Sequence, residues 1–126
     1  MRRDALLLAE MIDAAEQAIA LVAGRGIDDL ERDRTARDAL LWNFMVLGEA
    51  AATASDEIRR AHPDVPWRLA AALRNRIVHG YWSIDLDIVH STATDVLPGL
   101  VEQLRAVIAN NGDVRPEPAA GGTPQV

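Results

Sequence analysis

The sequence predicts an all-α protein, and three observations support this class. Apolar residues recur at steps of three and four through most of the chain, prolines and glycines separate these patterns, and no stretch alternates as a β-strand would. At 126 residues the chain is long enough for one helical core but not for two. We therefore expect one helical domain over residues 1–110. Residues 111–126 are rich in proline and glycine and have little to bury, which predicts a flexible tail.

The first half of the chain predicts two helices. The first runs from residue 4 to about residue 22 and ends near Gly24. A charged segment, residues 28–38, then leads into a second helix and is most simply a solvated face with internal ion pairs. Residues 41–54 are apolar nearly all round, and Gly48 among alanines would let another helix approach closely. This second helix could therefore form the core, a dimer interface, or both.

Prolines divide the second half of the chain. Ser55 is a suitable start for a short helix, and Pro66 suits the first position of a longer one. That longer helix leads directly to Gly80, where the permissive backbone of glycine allows it to end. A last helix follows and reaches about Asn110. Pro98 lies within it and should kink or split it.

Composition and charge exclude several classes of function. The chain has no cysteine, which excludes disulfides, thiol catalysis and thiolate metal sites. No apolar run approaches the ~20 residues of a membrane span, and acidic residues interrupt the segment where a secretion signal would lie, so we expect a cytoplasmic protein. The formal net charge of −6 argues against a broadly basic surface, and any nucleic acid must therefore be bound locally.

The chemistry of the chain is concentrated in the segment RNRIVHGY, from Arg74 to Tyr81. Arginine keeps its charge and presents a planar fork to phosphate oxygens, while histidine exchanges a proton near neutral pH, so this pair suits phosphodiester chemistry. Arg74 and His79 are five positions apart and lie well off a common face of a regular helix. Either the helix ends before His79, as Gly80 permits, or the functional group of residues forms between two copies of the chain.

Taken as Arg, four residues, His, any residue and Tyr, this segment resembles the signature of HEPN-domain toxins of the HepT family. These are small helical ribonucleases paired with a nucleotidyltransferase antitoxin. The segments 48–50, 63–67 and 85–89 also look like this family, so the resemblance covers about residues 4–108. It implies a HEPN-type antiparallel bundle of four to five helices, which dimerises with two such motifs facing each other across a cleft.

The resemblance implies a metal-independent endoribonuclease that cleaves cellular RNA. In that reaction the RNA 2′-hydroxyl attacks the adjacent phosphorus, which requires proton transfer and positive charge on the developing phosphorane. We assign proton transfer to His79 and phosphate binding to Arg74. Asn75 would orient one of these groups or the ribose, and Arg76 would be an accessory cation or a surface residue.

The resemblance also gives Tyr81 the role of acceptor for AMP groups transferred by the antitoxin. Such a modification would add bulk and negative charge beside Arg74 and so silence the ribonuclease. The transferase would need ATP and a divalent ion, but these belong to the partner, and no cofactor and no metal are expected for this chain. The implied partners are an RNA substrate, a nucleotidyltransferase antitoxin and a second copy of the chain.

Several residues keep more than one interpretation at this stage. Glu49 lies among apolar residues, so it is either a surface charge on an alanine-rich face or a buried carboxylate that an arginine pairs, supporting the site. Tyr81 could be an aromatic plug with a hydrogen-bonded hydroxyl, and Trp82 suits core packing better than stacking on a base. The alternative function is a non-catalytic helical dimer that binds a nucleotide or a nucleotidyltransferase.

Overall fold

The computed structural model describes residues 2–110, and these residues form an all-α bundle as predicted. No β-strand occurs within this range. The predicted tail, residues 111–126, lies outside the described residues. The helices are α1 (Arg2–Val22), α2 (Ile27–Arg32), α3 (Arg34–Thr53), α4 (Asp56–Ala61), α5 (Trp67–His79), α6 (Leu86–Ser91) and α7 (Leu97–Asn110). A 3-10 turn (Tyr81–Ser83) follows α5, and a π-helical turn (Thr92–Val96) joins α6 to α7.

The central element of the bundle is α3, as its apolar sequence predicts. It packs against α1 on one side and against α5 on the other, while α1 also packs against α7. Its buried residues occupy more than one face: Ala36, Leu40, Leu41, Phe44, Leu47, Gly48, Ala50 and Ala51. No helix within residues 2–110 is long and apolar enough to cross a membrane.

The connection between α1 and α3 contains a short helix that the periodicity did not reveal. Gly24 ends α1 with a positive φ of 73°, a conformation that glycine adopts without steric cost. The helix α2 follows within the charged segment and buries Leu30. Asp33 then separates α2 from α3, and its side chain accepts a hydrogen bond from the Ala36 amide at 3.1 Å. A six-residue helix gives too little periodic signal to be detected by pattern alone.

A buried carboxylate joins the start of α1 to the start of α4. Asp4 is 3% exposed, and its two oxygens accept hydrogen bonds from the Ser55 amide at 3.1 Å and the Ser55 hydroxyl at 2.7 Å. The same Ser55 oxygen accepts from the Ile58 amide at 3.1 Å and so caps α4, as the sequence predicts for this serine. Because every oxygen of this carboxylate has a donor, its burial is compensated.

The last helix runs to Asn110, and its interruption takes the form of a π-helical turn. Residues 92–96 form this turn directly before Pro98, and the Leu97 amide donates to the Thr92 carbonyl, five residues back. Proline has no amide proton, and its ring crowds the carbonyl four residues before it. The wider π-helical turn relieves that crowding without breaking the helix, so α6 and α7 form one continuous rod.

Candidate active site at the end of α5

The predicted motif lies on the last turns of α5, which includes His79 and ends at Gly80. The Gly80 amide donates to the Arg76 carbonyl at 3.0 Å, so the helical hydrogen bonding continues past His79. The expectation that the helix could end before His79 is therefore wrong. Five helical steps place Arg74 and His79 roughly 140° apart around the helix axis. His79 is exposed at the helix end, as are Asn75 and Arg76.

Arg74 is held between α5 and α3. Its Nη1 atom lies 2.6 Å from Oε1 of Glu49, and its side chain is only 26% exposed. Gly48 makes this position available, because a Cβ atom there would lie 2.3 Å from Arg74 Cβ and 2.5 Å from the Ala70 carbonyl oxygen. The Nε atom of Arg74 is buried and has no hydrogen-bond partner among the described residues. The guanidinium is thus fixed on one side only.

Glu49 combines parts of both interpretations that its sequence context allows. It lies on the surface of α3 with 65% of its side chain exposed, so it is not a buried charge. It nevertheless pairs with an arginine of the predicted site. The ion pair brings together two residues 25 positions apart.

A largely apolar groove borders this ion pair, and we refer to it as the Arg74 groove. Its volume is about 360 Å³. Trp42 and Val78 line it while remaining 64% and 53% exposed, which leaves unusually large apolar side chains at the surface. The other lining residues are Leu7, Glu10, Met45, Val46, Glu49, Ala50, Thr53 and Arg74.

Tyr81 lies in the 3-10 turn after α5, and its hydroxyl donates a hydrogen bond to Oδ1 of Asp38 on α3. This bond raises the pKa of Tyr81, because ionisation of the phenol would place two negative charges together; burial and the charge of Asp38 act in the same direction. The positive charges of Arg34 and Arg37 lower the Tyr81 pKa but do not cancel the rise.

Asp38 shows the complementary effect. The hydrogen bond from Tyr81 stabilises its carboxylate and is the largest cause of its lowered pKa, while partial burial opposes the change. A second bond from Arg34 acts with the first: Nε of Arg34 lies 3.3 Å from Oδ2 of Asp38. Arg34, Asp38 and Tyr81 therefore form a continuous chain of guanidinium, carboxylate and phenol.

Tyr81 lines a second cleft, separate from the Arg74 groove, which we refer to as the Tyr81 cleft. Its volume is about 690 Å³. Trp82 lines the cleft and is 88% exposed, so the expectation of core packing for Trp82 is wrong. Arg74 was expected beside Tyr81, but it does not line this cleft. The arginines that line it with Tyr81 are Arg34 and Arg37. The other lining residues are Glu31, Asp38, Ile84, Asp85 and Leu86.

Arg34, Arg37 and Asp38 were expected only to form part of a solvated charged segment. The i,i+4 spacing of Arg34 and Asp38 indicated their ion pair. Nothing local indicated that Asp38 meets Tyr81, 43 positions later. Within residues 2–110 no three His, Asp or Glu side chains come together to hold a metal ion.

The fold and the site together define an all-α protein that carries an arginine and a histidine suited to phosphodiester chemistry. Comparison with protein families gives the same class. The family model described as "Ribonuclease HepT-like" matches residues 11–107. The chain therefore belongs to the HepT-like ribonuclease family, and ribonuclease activity is the class of function that this membership supports.

Individual relatives carry related names. A probable ribonuclease HepT of Thermococcus cleftensis is 26% identical over 93 residues, which cover 74% of this chain and 82% of the relative. A putative RNase of Caldanaerobacter subterraneus is 26% identical over 101 residues, covering 80% and 90% of the two chains. A putative RNase of Methanocaldococcus jannaschii is 22% identical over 101 residues, covering 80% and 84%. No solved structure matches the chain.

Proposed function

We propose that this chain is the toxin of a two-gene toxin–antitoxin system: a homodimeric, metal-independent endoribonuclease that cleaves cellular RNA and is silenced by AMP transfer to Tyr81. The observation that carries the proposal is the presentation of Arg74 and His79 on the last turns of α5 in a chain of the HepT-like ribonuclease family. The antitoxin is a nucleotidyltransferase that binds the toxin and uses ATP with a divalent ion.

His79 and Arg74 have separate roles in RNA cleavage. His79 is exposed at the end of α5, where it accepts the proton of the RNA 2′-hydroxyl or supplies one to the leaving oxygen. Arg74 binds the scissile phosphate and stabilises the negative charge of the phosphorane. Asn75 orients the ribose by hydrogen bonding, Arg76 adds positive charge for the RNA backbone, and Glu49 supports the site by holding one side of the Arg74 guanidinium.

Two copies of the chain form the complete site. Roughly 140° of helix rotation separates Arg74 from His79 in one chain, so a single α5 does not direct both at one phosphate. The Arg74 groove supplies an apolar surface for a second copy, because Trp42 and Val78 are exposed beside it. A symmetric dimer closing on this face brings the His79 of one protomer toward the Arg74 of its partner.

Mixing two inactive variants tests this arrangement. Arg74→Ala and His79→Ala homodimers are each expected to lose at least about a hundredfold in cleavage rate, the usual cost of removing a group that stabilises or protonates the transition state. If the site is shared, heterodimers contain one site with both groups intact, and unfolding and refolding an equal mixture restores about a quarter of the parental rate. If each site lies within one chain, the mixture stays inactive and the shared site is disproved.

A growth assay tests the toxin and its control by Tyr81. Induction of the parent chain is expected to arrest growth with fragmentation of cellular RNA, and His79→Ala to abolish both effects. Co-expression of the nucleotidyltransferase is expected to relieve growth arrest by the parent chain. AMP transfer cannot relieve arrest by Tyr81→Phe, because phenylalanine lacks the acceptor oxygen. If the folded parent dimer neither arrests growth nor cleaves RNA, the chain is a binding module for a nucleotide or a nucleotidyltransferase instead.

A further inference from the structure

The Tyr81 cleft contains an arrangement of charges that RNA cleavage at Arg74 and His79 does not use. Both oxygens of the Asp38 carboxylate are occupied: Oδ1 accepts from the Tyr81 hydroxyl, and Oδ2 accepts from Nε of Arg34 at 3.3 Å. The acceptor oxygen of Tyr81 is therefore held in one direction, with its proton pointing at the Asp38 carboxylate. Arg34 in turn fixes that carboxylate.

Two arginines supply the positive charge of the cleft, whose lining also contains the carboxylates of Glu31, Asp38 and Asp85. The side chain of Arg34 is 80% exposed, so the guanidinium nitrogens that do not contact Asp38 face solvent. Arg37 uses Nη1 to donate to the Glu31 carbonyl at 3.2 Å. Both arginines line the same cleft as Tyr81. An arginine fork matches the geometry of phosphate oxygens.

The remainder of the cleft suits a nucleoside. Trp82 directly follows Tyr81 and exposes 88% of its surface, so it offers a π-face on which a base can stack. The volume of about 690 Å³ lies within the range of about 300–1,000 Å³ that is usual for small-molecule sites. Two guanidinium groups, an exposed aromatic face and a hydrogen-bonded hydroxyl thus line one cleft.

We propose that the Tyr81 cleft is a nucleotide site in which Asp38 orients the Tyr81 hydroxyl for AMP transfer while Arg34 and Arg37 bind the transferred phosphate. This inference rests on the proposed function, because it takes Tyr81 as the AMP acceptor. It adds three residues of this chain to a reaction otherwise attributed to the partner. Asp38 contacts the reacting hydroxyl directly, so it both orients that group and accepts its proton.

The transfer is a displacement at the α-phosphorus of ATP. The Tyr81 oxygen attacks that phosphorus and forms the new ester bond, while the bond from the α-phosphorus to the bridging oxygen breaks and pyrophosphate leaves with the electron pair. The phenol proton passes to the Asp38 carboxylate and from there to water. Asp38 holds the attacking oxygen in place, which favours reaction by reducing the orientations that must be lost.

The product changes the electrostatics of the cleft. An esterified Tyr81 has no proton to donate to Asp38, and its phosphodiester adds a negative charge close to that carboxylate. Like charges at such a distance repel, and the two guanidinium groups of Arg34 and Arg37 offset this repulsion. The same arginines therefore stabilise both the transfer and the modified toxin.

The experiment follows AMP transfer to the full chain by intact mass, with the proposed nucleotidyltransferase partner, ATP and Mg²⁺. Asp38→Asn is expected to lower the maximal rate about tenfold with little change in the KM for ATP, because orientation and proton acceptance are lost. The double variant Arg34→Gln/Arg37→Gln is expected to raise that KM about tenfold, roughly the effect of losing charge-assisted hydrogen bonds to phosphate.

The controls are Asp28→Asn, which makes the same charge change as Asp38→Asn, and Arg32→Gln, which removes one arginine of the same segment; neither residue lines the cleft. Parental rates in Asp38→Asn and in the double arginine variant, with modification still at Tyr81, would overturn the nucleotide site and leave the acceptor role intact. Absence of AMP on Tyr81 of the unaltered chain, with an active transferase, would instead remove the acceptor role itself.

A partner-free measurement separates positioning from loss of folding. Tyr81 is the only tyrosine of the chain, so the absorbance of tyrosinate reports on it alone. In the folded Asp38→Asn variant the Tyr81 pKa is expected to fall toward its ordinary value. If the Tyr81 pKa is the same in this variant as in the parent, the inference that Asp38 orients Tyr81 is overturned. The double arginine variant alters exposed or half-exposed side chains and gives a second test that does not depend on this hydrogen bond.

Discussion

The guanidinium of Arg74 on α5 contacts the carboxylate of Glu49 on α3 at 2.6 Å, at the edge of the Arg74 groove. With Glu49 largely exposed, solvent screens this pair, and such pairs contribute about 0–1 kcal/mol to folding. The contact is more important for orientation, since it is the one hydrogen bond that the structure gives the Arg74 guanidinium within residues 2–110.

Glu49→Gln is therefore expected to affect catalysis more than stability. We expect the free energy of unfolding to change by less than about 1 kcal/mol. The cleavage rate should fall about tenfold, because a less constrained Arg74 is misplaced relative to the phosphate. Urea unfolding and an RNA cleavage assay measure the two effects. Glu16→Gln is the control, since it removes a second exposed Glu–Arg pair, with Arg105, outside the site; equal rates in both variants would exclude the positioning role.

Gly48→Ala is expected to destabilise the bundle and displace Arg74. The new methyl group would lie 2.3 Å from Arg74 Cβ and 2.5 Å from the Ala70 carbonyl oxygen, so α3 and α5 must separate. Overpacking of this kind costs about 1–3 kcal/mol. Gly99→Ala in α7 is the matched control, because its new methyl group would have no neighbour within 4 Å and helix formation favours alanine by about 0.5–1 kcal/mol. The midpoint of chemical denaturation should therefore fall in Gly48→Ala and rise in Gly99→Ala. An unchanged midpoint in Gly48→Ala would contradict the close approach of α3 and α5.

Asp4→Ala is expected to lower the free energy of unfolding by about 1–3 kcal/mol, since it leaves the partly buried Ser55 amide without its acceptor. The Ser55 hydroxyl also loses a partner, which weakens the link between α1 and α4. Asp13→Ala changes an exposed aspartate of the same helix and serves as control. Thermal unfolding of the two variants provides the comparison; similar midpoints would show that the buried carboxylate contributes nothing to stability.

The hydrogen bond between Tyr81 and Asp38 should make stability depend on pH at both ends of the scale. The folded-state pKa of Tyr81 is raised, so its contribution is complete below about pH 10 and is lost as pH rises through the folded pKa. The folded-state pKa of Asp38 is lowered, so its contribution is present above about pH 4 and is lost as pH falls through the folded value.

We expect the free energy of unfolding to differ most between the parent and Asp38→Asn from about pH 4 to about pH 10. The difference should become smaller in more acidic and in more alkaline solution. Denaturant unfolding at a series of pH values measures it. Asp28→Asn removes an exposed carboxylate of the same segment and should show no such window. A difference that stays constant from acid to alkaline pH would mean that the bond between Tyr81 and Asp38 does not form in solution.

Periodicity predicted the long elements because each of them buries a continuous stripe. The helices α1, α3 and α5 and the rod from α6 to α7 all correspond to such stripes, and Gly48 correctly indicated a close approach of helices. The sequence did not determine whether α5 ends before or after His79, because glycine permits a helix to end but does not fix the last helical residue. The hydrogen bond from the Gly80 amide to Arg76 decided that point.

The surroundings of Tyr81 could not be predicted in the same way. Asp38 on α3 and Tyr81 in the 3-10 turn after α5 meet because α3 and α5 pack together. Such a contact depends on the packing of distant elements, and no local pattern encodes it. Trp82 illustrates the same limit: an aromatic residue after a helix usually predicts burial, yet the turn directs this one outward.

The packing of α1 against α7 joins the first and last helices of the described chain. During synthesis α1 leaves the ribosome before α7, so the apolar face of α1 has no complete set of partners until α7 has been made. A growing or truncated chain therefore cannot close this core. The order of the elements along the chain delays completion of this core until α7 has been synthesised.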